Sequence, residues 1–257
     1  MQERSHEAVV SDQFSPRALS YLTSAVHAQG KDLEQLKEIV GSRPQASGLD
    51  LGCGGGHVSF LLAPLLEKIV AYDLSAAMLA TVGGEAERRG LTNLETRQGS
   101  VEKLPFADAS FDLVVSRYSA HHWHDAAAGL REAYRVLKPG GLGIFMDVVA
   151  PASPLLDTWL QSLELLRDPS HVRNYTIGQW QGMLERSGFQ PAALSTFRLR
   201  LEFSSWIERM RTPEPHMRAI RSLQAMAGSA VARHFAIEAE GSFTLDTMLM
   251  IAKVNPA

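Results

Sequence analysis

The chain is nearly devoid of cysteine: Cys53 is the single one in 257 residues. That excludes an intramolecular disulfide and any metal site built on several thiolates. It also lacks an excess of charge of one sign. Against 28 acidic residues stand 25 basic ones, a net charge of −3, so electrostatics makes no case for nucleic acid or an anionic membrane as partner. Long apolar runs are missing too. "GLGIFMDVVA" is too short and too interrupted to span a bilayer. The start, "MQERSHEAVVSDQF", has no basic segment leading into an apolar core and does not read as a secretory signal. No internal repeat, low-complexity tract or clear linker breaks the chain. The expectation is a cytoplasmic enzyme, with 45% hydrophobic residues to build a full core.

What is present is an alternation. "ASGLDL", "KIVAYD", "NLETRQ", "FDLVVSRY" and "GLGIFMDVV" read as strands between residues 46 and 150, the first weakened by Gly48. "SAAMLATVGGEAERRG" and "DAAAGLREAYRVLKPGG" carry helical spacing. Ser75 and Asp125 cap their starts, Gly90 and Gly140 stop them, and Gly83 and Gly84 weaken the first. The first forty residues read as helix. There, "KDLEQLKEIVG" predicts an N-cap at Asp32 with Gln35 three residues on, and a stop at Gly41. Strand–helix alternation with near-continuous apolar strands indicates a parallel sheet covered on both faces. After residue 150, "SPLLDTWLQSLELLR" and "TIGQWQGMLERSGF" read as helices. "ALSTFRLRLEF" and "SFTLDTMLMIAKV" read as strands flanking a mostly helical insert, about 204–241.

The loop "LDLGCGGGH" follows the first strand and opens a helix. Gly52, Gly54 and Gly56 allow a sharp turn and the close approach of a ligand to the main chain. The helix N-terminus beyond favours a partial negative charge or a carboxylate. The dinucleotide pattern G-x-G-x-x-G is not met, because His57 stands at its last position. That weakens phosphate cradling and disfavours a nicotinamide oxidoreductase. Asp73 ends the second strand about twenty residues later, where a carboxylate in a doubly wound sheet accepts both hydroxyls of a ribose. Cap duty suits Ser75 better, which leaves Asp73 available.

Taken together, "LDLGCGGGH", "VAYDLSAAML", "LPFADASFDLVVSRYSAHHW" and "REAYRVLKPGG" resemble the class I S-adenosylmethionine (SAM) dependent methyltransferases. The similarity is to the small-molecule group that includes quinone- and biotin-pathway enzymes. It runs from about Phe14 to Pro151, and "MLERSGF" extends it. The resemblance implies a Rossmann-like, doubly wound α/β fold: a seven-stranded sheet, mostly parallel with an antiparallel C-terminal strand. The chain would be one domain, with residues 1–45 as helical cover and 46–150 as SAM-binding core. Residues 151–257 would add the C-terminal helices, the last two strands and the insert 204–241.

The resemblance also implies site residues. Asp50 would support the methionyl end of SAM, and the loop of Gly52, Cys53, Gly54 and Gly56 would lie against its amino-acid portion. Asp73 would hold the ribose, with Leu74 and Met78 near the adenosine. Ser100 and Val101 stand where the family has Asp-Ala against adenine. The serine forgoes a charge-assisted bond, so adenine would rest more on the backbone and on Glu102. Arg117 would face the cofactor. The implied activity is methyl transfer to a small-molecule acceptor, leaving S-adenosylhomocysteine. The alternatives are a SAM-binding sensor or partner subunit without turnover, and an enzyme that modifies SAM itself. The latter needs basic residues near the methyl, for which Arg117 or Arg173 are the candidates.

The stretch "SRYSAHHWHD" places three histidines and Asp125 within five positions. In an extended chain, neighbouring His121 and His122 point apart, and His122 and His124 flank Trp123. With Asp125 spent as a cap, a metal site is disfavoured. The resemblance puts this loop at the substrate side, so His121 or His122 is expected to act as base or substrate ligand; the alternative is a histidine that only shapes the loop. Imidazole is the side chain whose ordinary pKa best suits proton transfer near neutrality. Further expected substrate groups are Tyr21 and Arg17 in the cover, Asp147 at the end of the fifth strand, and His171, Arg173 and Tyr175 in "SHVRNY". Trp206, Met210, Met217 and Met226 are expected to pack on the sheet edge. Arg198, Arg200, Arg209, Arg211, Arg218 and Arg221, interleaved with glutamates, are expected to form a solvated, salt-bridged face.

Overall fold

A computed structural model describes residues 4–22 and 30–256. Parts of the expected N-terminal helical cover, residues 1–3 and 23–29, lie outside the described residues. Seven strands form one sheet in the order β3-β2-β1-β4-β5-β7-β6. They are β1 (Arg43–Leu51), β2 (Leu66–Asp73), β3 (Leu94–Gln98), β4 (Phe111–Arg117), β5 (Leu137–Val148), β6 (Gln190–Leu201) and β7 (Phe243–Lys253). β1 to β6 run in one direction and β7 runs against both its neighbours. This is the expected doubly wound sheet with an antiparallel last strand. Strand order reverses between β1 and β4, and the crevice at such a switch point is where open α/β sheets bind ligands. Asp50 pairs with Ala71 of β2 and Val115 of β4, so Gly52, Asp73 and Arg117 emerge together at the carboxyl edge.

The central strands are apolar on both faces, as a sheet covered on both sides requires. Leu49, Leu51, Val70, Tyr72, Val114 and Phe145 point into one core layer, and Ile69, Leu113, Val115, Ile144 and Met146 into the other. Each fully buried large side chain of this kind contributes about 1.5–3 kcal/mol. Gly48 has a packing reason: a Cβ there would lie 2.7 Å from Leu66 Cδ1.

The helices, in chain order, begin with α1 (His6–Phe14), α2 (Ala18–Leu22) and α3 (Lys31–Val40). Next come α4 (His57–Leu62), α5 (Ala76–Arg88), α6 (Ala126–Val136), α7 (Pro154–Arg167) and α8 (Ile177–Arg186). The insert supplies α9 (Phe203–Met210), α10 (Glu214–Ala225) and α11 (Ser229–His234). Ser75 and Asp125 cap α5 and α6 as expected, accepting from the amides of Met78 and Ala128. Two expectations fail. Gly30, not Asp32, precedes α3, and Asp32 sits inside the helix with its carboxylate turned inward. Gly140 does not end α6, which stops at Val136; β5 starts at once because the chain's end docks there, Gly140 N donating to Asn255 O at 3.2 Å.

A third apolar cluster lies beyond the sheet edge. Val148, Leu201, Phe203, Trp206, Phe243 and Leu245 join α7 to the insert, with Trp159 stacked on Phe235 at 4.4 Å. β6 and β7 thus carry the insert up to the same carboxyl edge. Among the described residues no helix is long and apolar enough to cross a membrane.

Candidate functional site

The glycine loop turns at the tip of β1. Gly52 and Gly56 sit at φ +67° and +78°, a region that disfavours side chains. A Cβ on Gly52 would also collide with the Ser119 hydroxyl. The amides of Gly52 and Cys53 both donate to Tyr72 O, at 2.8 and 3.0 Å. Gly54 N donates to Asp73 Oδ2 at 2.9 Å, and Ser75 N to Asp73 Oδ1 at 2.8 Å. Asp73 is therefore not wholly free, as the sequence suggested. Each oxygen takes one backbone donor and keeps a lone pair for a ligand. Asp50 is 1% exposed and accepts from Ser59 N and Oγ at 3.1 and 2.7 Å. Burial pushes its carboxyl up to about 7, against the pull of those two hydrogen bonds.

A cleft of about 1040 Å³, open solvent at its mouth included, lies over this loop. Asp50, Gly52, Cys53, Gly54 and Gly56's neighbour Gly55 form its floor, and Asp73, Leu74 and Met78 one side. Ser100, Val101 and Glu102 line it as well. Gly56 itself does not line the cleft but packs against Phe60 and Val82. Glu102 Oε1 accepts from Asp125 N at 2.8 Å, which ties this wall to the start of α6. Arg117 also lines the cleft. Its Nε donates to Asp32 Oδ2 at 2.6 Å in an ion pair whose side chains are 5% and 8% exposed, and its guanidinium lies 4.6 Å above the Tyr118 ring. The inward Asp32 is thus the fixed partner of Arg117. Carboxylates for a ribose and an ammonium, a bare glycine turn and an apolar flank are the donor set that SAM needs, so the residues present fit it.

The N-terminal segment roofs the cleft. His57 Nε2 hydrogen-bonds Tyr21 O at 2.9 Å, and the Tyr21 backbone stands so close that a Cβ on Gly55 would meet it at 2.9 Å. Phe14 and Tyr21 are in edge contact at 5.5 Å. Together with Tyr118 and His122 they also line a second cavity, of about 600 Å³. The rest of its wall includes His121, Glu164, Arg167, Asn174, Trp206 and Arg209, with Leu199, Leu201 and Leu245 from the β6–β7 extension.

The histidine loop is not extended. Ala120–His122 make a single 3-10 turn, with His122 N bonded to Ser119 O at 2.9 Å. The rings of His121 and His122 therefore do not diverge but lie 4.2 Å apart. His121 Nδ1 is 2.6 Å from Asp147 Oδ1, and Asp147 is 1% exposed. Burial works most strongly against the imidazolium, but the charge and hydrogen bond of Asp147, with the charges of Glu164 and Asp168, together outweigh it and raise the His121 pKa. An Nδ1–H donated to Asp147 leaves Nε2, which has no hydrogen bond among the described residues, as the basic nitrogen. His122 Nδ1 faces Ser170 O at 3.2 Å. Burial, then the charge of His121, lowers its pKa to about 4, so it stays neutral. Among the described residues no three metal-ligating side chains stand together.

Other residues singled out in the sequence take different places. Arg17 lines neither cavity; it donates to Gln13 O and, at 2.7 Å, to Met210 O, tying the cover to the insert. Asp147 stands behind His121 rather than in the cavity. His171 bonds Gln161 Oε1 at 2.9 Å, and burial followed by the neighbouring histidines pushes its pKa far down. Arg173 pairs with Asp157 at 2.6 Å, and Tyr175 packs edge-on to Trp180. Arg198, Arg200 and Arg218 form the expected surface ion pairs, whereas Arg209 turns into the second cavity. Phe14, Glu164 and Arg167 carry no sequence signal of a site; Tyr118 and Asn174 lie inside "SRYSAHHWHD" and "SHVRNY", where neither is singled out.

The methyltransferase-domain family matches residues 49–145. The chain is 51% identical to the uncharacterized protein YafE of Escherichia coli (strain K12) over 201 residues, 78% of this chain and 97% of that one. It is 35% identical to the uncharacterized methyltransferase YcgJ of Bacillus subtilis (strain 168), over 78% of this chain and 79% of that one. The crystal structure of YcgJ superposes with a TM-score of 0.84 over 88% of this chain and 99% of that one. A demethylmenaquinone methyltransferase of Chlorobaculum parvum is 35% identical over 47% of this chain and 48% of its own length. Sequence, topology and glycine loop agree: the chain belongs to the class I SAM-dependent methyltransferases.

Proposed function

We propose that the protein transfers the methyl group of SAM to a small-molecule acceptor held in the second cavity, with His121 as general base. The observation that carries this reading is the common wall of the two cavities, in which His122 takes part beside Tyr21 and Tyr118. SAM supplies a methyl on a positively charged sulfur, an activated group with a good leaving thioether. The chain's task is then to align the acceptor and keep water out. Alignment alone supplies roughly 7–11 kcal/mol. Phe14, Trp206 and the leucines of the β6–β7 extension exclude water. Where the nucleophile carries a proton, that proton goes to His121 Nε2, and Asp147 steadies the imidazolium. The nucleophile's electron pair forms the bond to carbon as the carbon–sulfur pair returns to sulfur.

A small molecule suits a cavity of about 600 Å³, and a relative over half its length is a demethylmenaquinone methyltransferase. The SAM-modifying alternative loses one of its basic candidates, since Arg173 pairs with Asp157 away from both cavities. The test is transfer of labelled methyl from SAM into a small-molecule extract. Wild type should label a separable small molecule, Asp73→Ala should label nothing, and His121→Ala should fall about 10²–10⁴-fold in rate. Equal labelling by His121→Ala would remove the base and keep the methyltransferase. SAM binding without any labelling would favour a non-transferring SAM-binding protein.

A further inference from the structure

Methyl transfer as described leaves part of the second cavity's wall without a task. Asn174 stands in that wall, 1% exposed, and neither its Nδ2 nor its Oδ1 has a hydrogen-bond partner. Its backbone, by contrast, is fixed from α7: Asn174 N donates to Gln161 Oε1 at 3.1 Å, and its carbonyl accepts from Gln161 Nε2 at 2.8 Å. A buried amide with both ends unmet costs stability, and such groups in native proteins call for an explanation. Asn174 is thus a donor–acceptor pair whose backbone is pinned in the cavity wall and whose amide is buried just beneath it.

Two guanidinium groups share that wall. Arg167 Nε donates to Trp206 O at 3.0 Å, its guanidinium lies 4.9 Å above the Trp206 ring, and a terminal nitrogen is 3.7 Å from Glu164 Oε2. Arg209 projects from the facing helix α9. Glu164 is the one acidic side chain among the described residues of the lining. It opposes an anion only when ionised, and burial works against its ionised form while Arg167 works for it. In the described lining two guanidinium groups thus stand against one carboxylate, while the buried Asp168 carboxylate lies behind it, outside the lining. Leu199, Leu201 and Leu245 supply an apolar stretch of the same wall.

We infer that the acceptor is a hydrophobic carboxylic acid, its carboxylate held by Arg167, Arg209 and the Asn174 amide and its body laid along Leu199, Leu201 and Leu245. This rests on the second cavity being the acceptor site. Planar guanidinium forks match carboxylate geometry, and hydrogen bonds to an ionised group are the strong ones. Asn174 Nδ2 adds a further donor. Its Oδ1 then selects for a hydroxyl or N–H near the carboxylate on the same molecule.

Binding of decanoate, decanol and decylamine to the full chain, saturated with S-adenosylhomocysteine, tests this by calorimetry. Wild type should bind decanoate about tenfold or more tightly than decanol, and decylamine most weakly. Asn174→Leu and Arg209→Met should each shrink the preference for decanoate over decanol severalfold. In Asn174→Leu the melting temperature should hold or rise, because an unmet buried amide is removed, and affinity for S-adenosylhomocysteine should not change. Equal affinity for decanoate and decanol, tighter binding of decylamine, or no binding of any of the three would overturn the inference. So would a fall in both melting temperature and S-adenosylhomocysteine affinity in Asn174→Leu, which marks a structural residue. Failure of wild type to bind S-adenosylhomocysteine would instead strike the methyltransferase reading itself.

Discussion

The two cavities are built differently. The floor and flank of the first are backbone turns and residues next to strand ends: a glycine turn after β1, Asp73 at the tip of β2 and the 99–102 loop after β3, beneath a roof from the cover and the histidine turn. The second is made almost wholly of side chains, drawn from the cover, the histidine turn, α7, the 170s loop, β6, α9 and β7. A site made of backbone is set by local sequence and tolerates little change. A site drawn from so many separate elements can change its ligand by substitution without disturbing the sheet. On the proposed function, the first would hold the cofactor and the second would select the acceptor.

Four substitutions or titrations sharpen that contrast. The largest effect is expected at Asp73, whose carboxylate already holds the glycine turn and, on the proposed function, would also hold the ribose hydroxyls. Asp73→Ala should weaken S-adenosylhomocysteine by about 10²–10³-fold in calorimetry. Next comes Asp147, which belongs to the second cavity's chemistry only. Asp147→Asn should lower kcat by about 10–100-fold with cofactor affinity unchanged. Because Asp147 raises the His121 pKa, its loss should also move the acidic limb of the kcat/KM profile to lower pH. A cofactor affinity that falls in parallel would show that the two cavities are not separable.

The third effect is a pH dependence confined to the first cavity. In the free protein Asp50 titrates near 7, so below that pH it is protonated. Pairing with the cofactor's ammonium requires the ionised form, so binding releases a proton. Affinity for S-adenosylhomocysteine should rise by up to about tenfold per pH unit on approach to 7 and level off above it. The same raised pKa makes ionised Asp50 a burden on the folded chain above pH 7. Asp50→Asn should thus melt higher at pH 8 than wild type while binding cofactor less well. A flat affinity profile would detach Asp50 from the methionyl end. The smallest effect is expected at Ser100, whose hydroxyl reaches only Glu102 N, at 3.4 Å. Ser100→Asp should tighten S-adenosylhomocysteine by about two- to tenfold through one charge-assisted bond to adenine.

The same contrast explains what the sequence revealed. β2 and β4 were legible because strands apolar on both faces repeat over neighbouring residues, and Ser75 and Asp125 because a cap acts within three positions. Asp32 was misread as a cap because its partner, Arg117, lies 85 residues away. The histidine rings were expected to diverge because an extended chain was assumed; a 3-10 turn, held by Val172 N on His121 O at 2.8 Å, brings them together. Arg209 alternates with glutamates as surface residues do, and only the docking of α9 on α7 and the cover turns it inward. Asn174 follows no period at all. Its role depends on Gln161, thirteen residues before it, pinning the backbone.

The shared wall of Phe14 and Tyr21 has a kinetic consequence. A roof that lifts from the cofactor cleft carries those two rings with it and so dismantles one side of the other chamber. Exchange of spent cofactor and retention of a bound acceptor are then mutually exclusive events. If the proposed transfer holds, turnover on such a scaffold would run in compulsory order, cofactor first in and last out, and high concentrations of acceptor would slow it by holding the roof shut over the by-product.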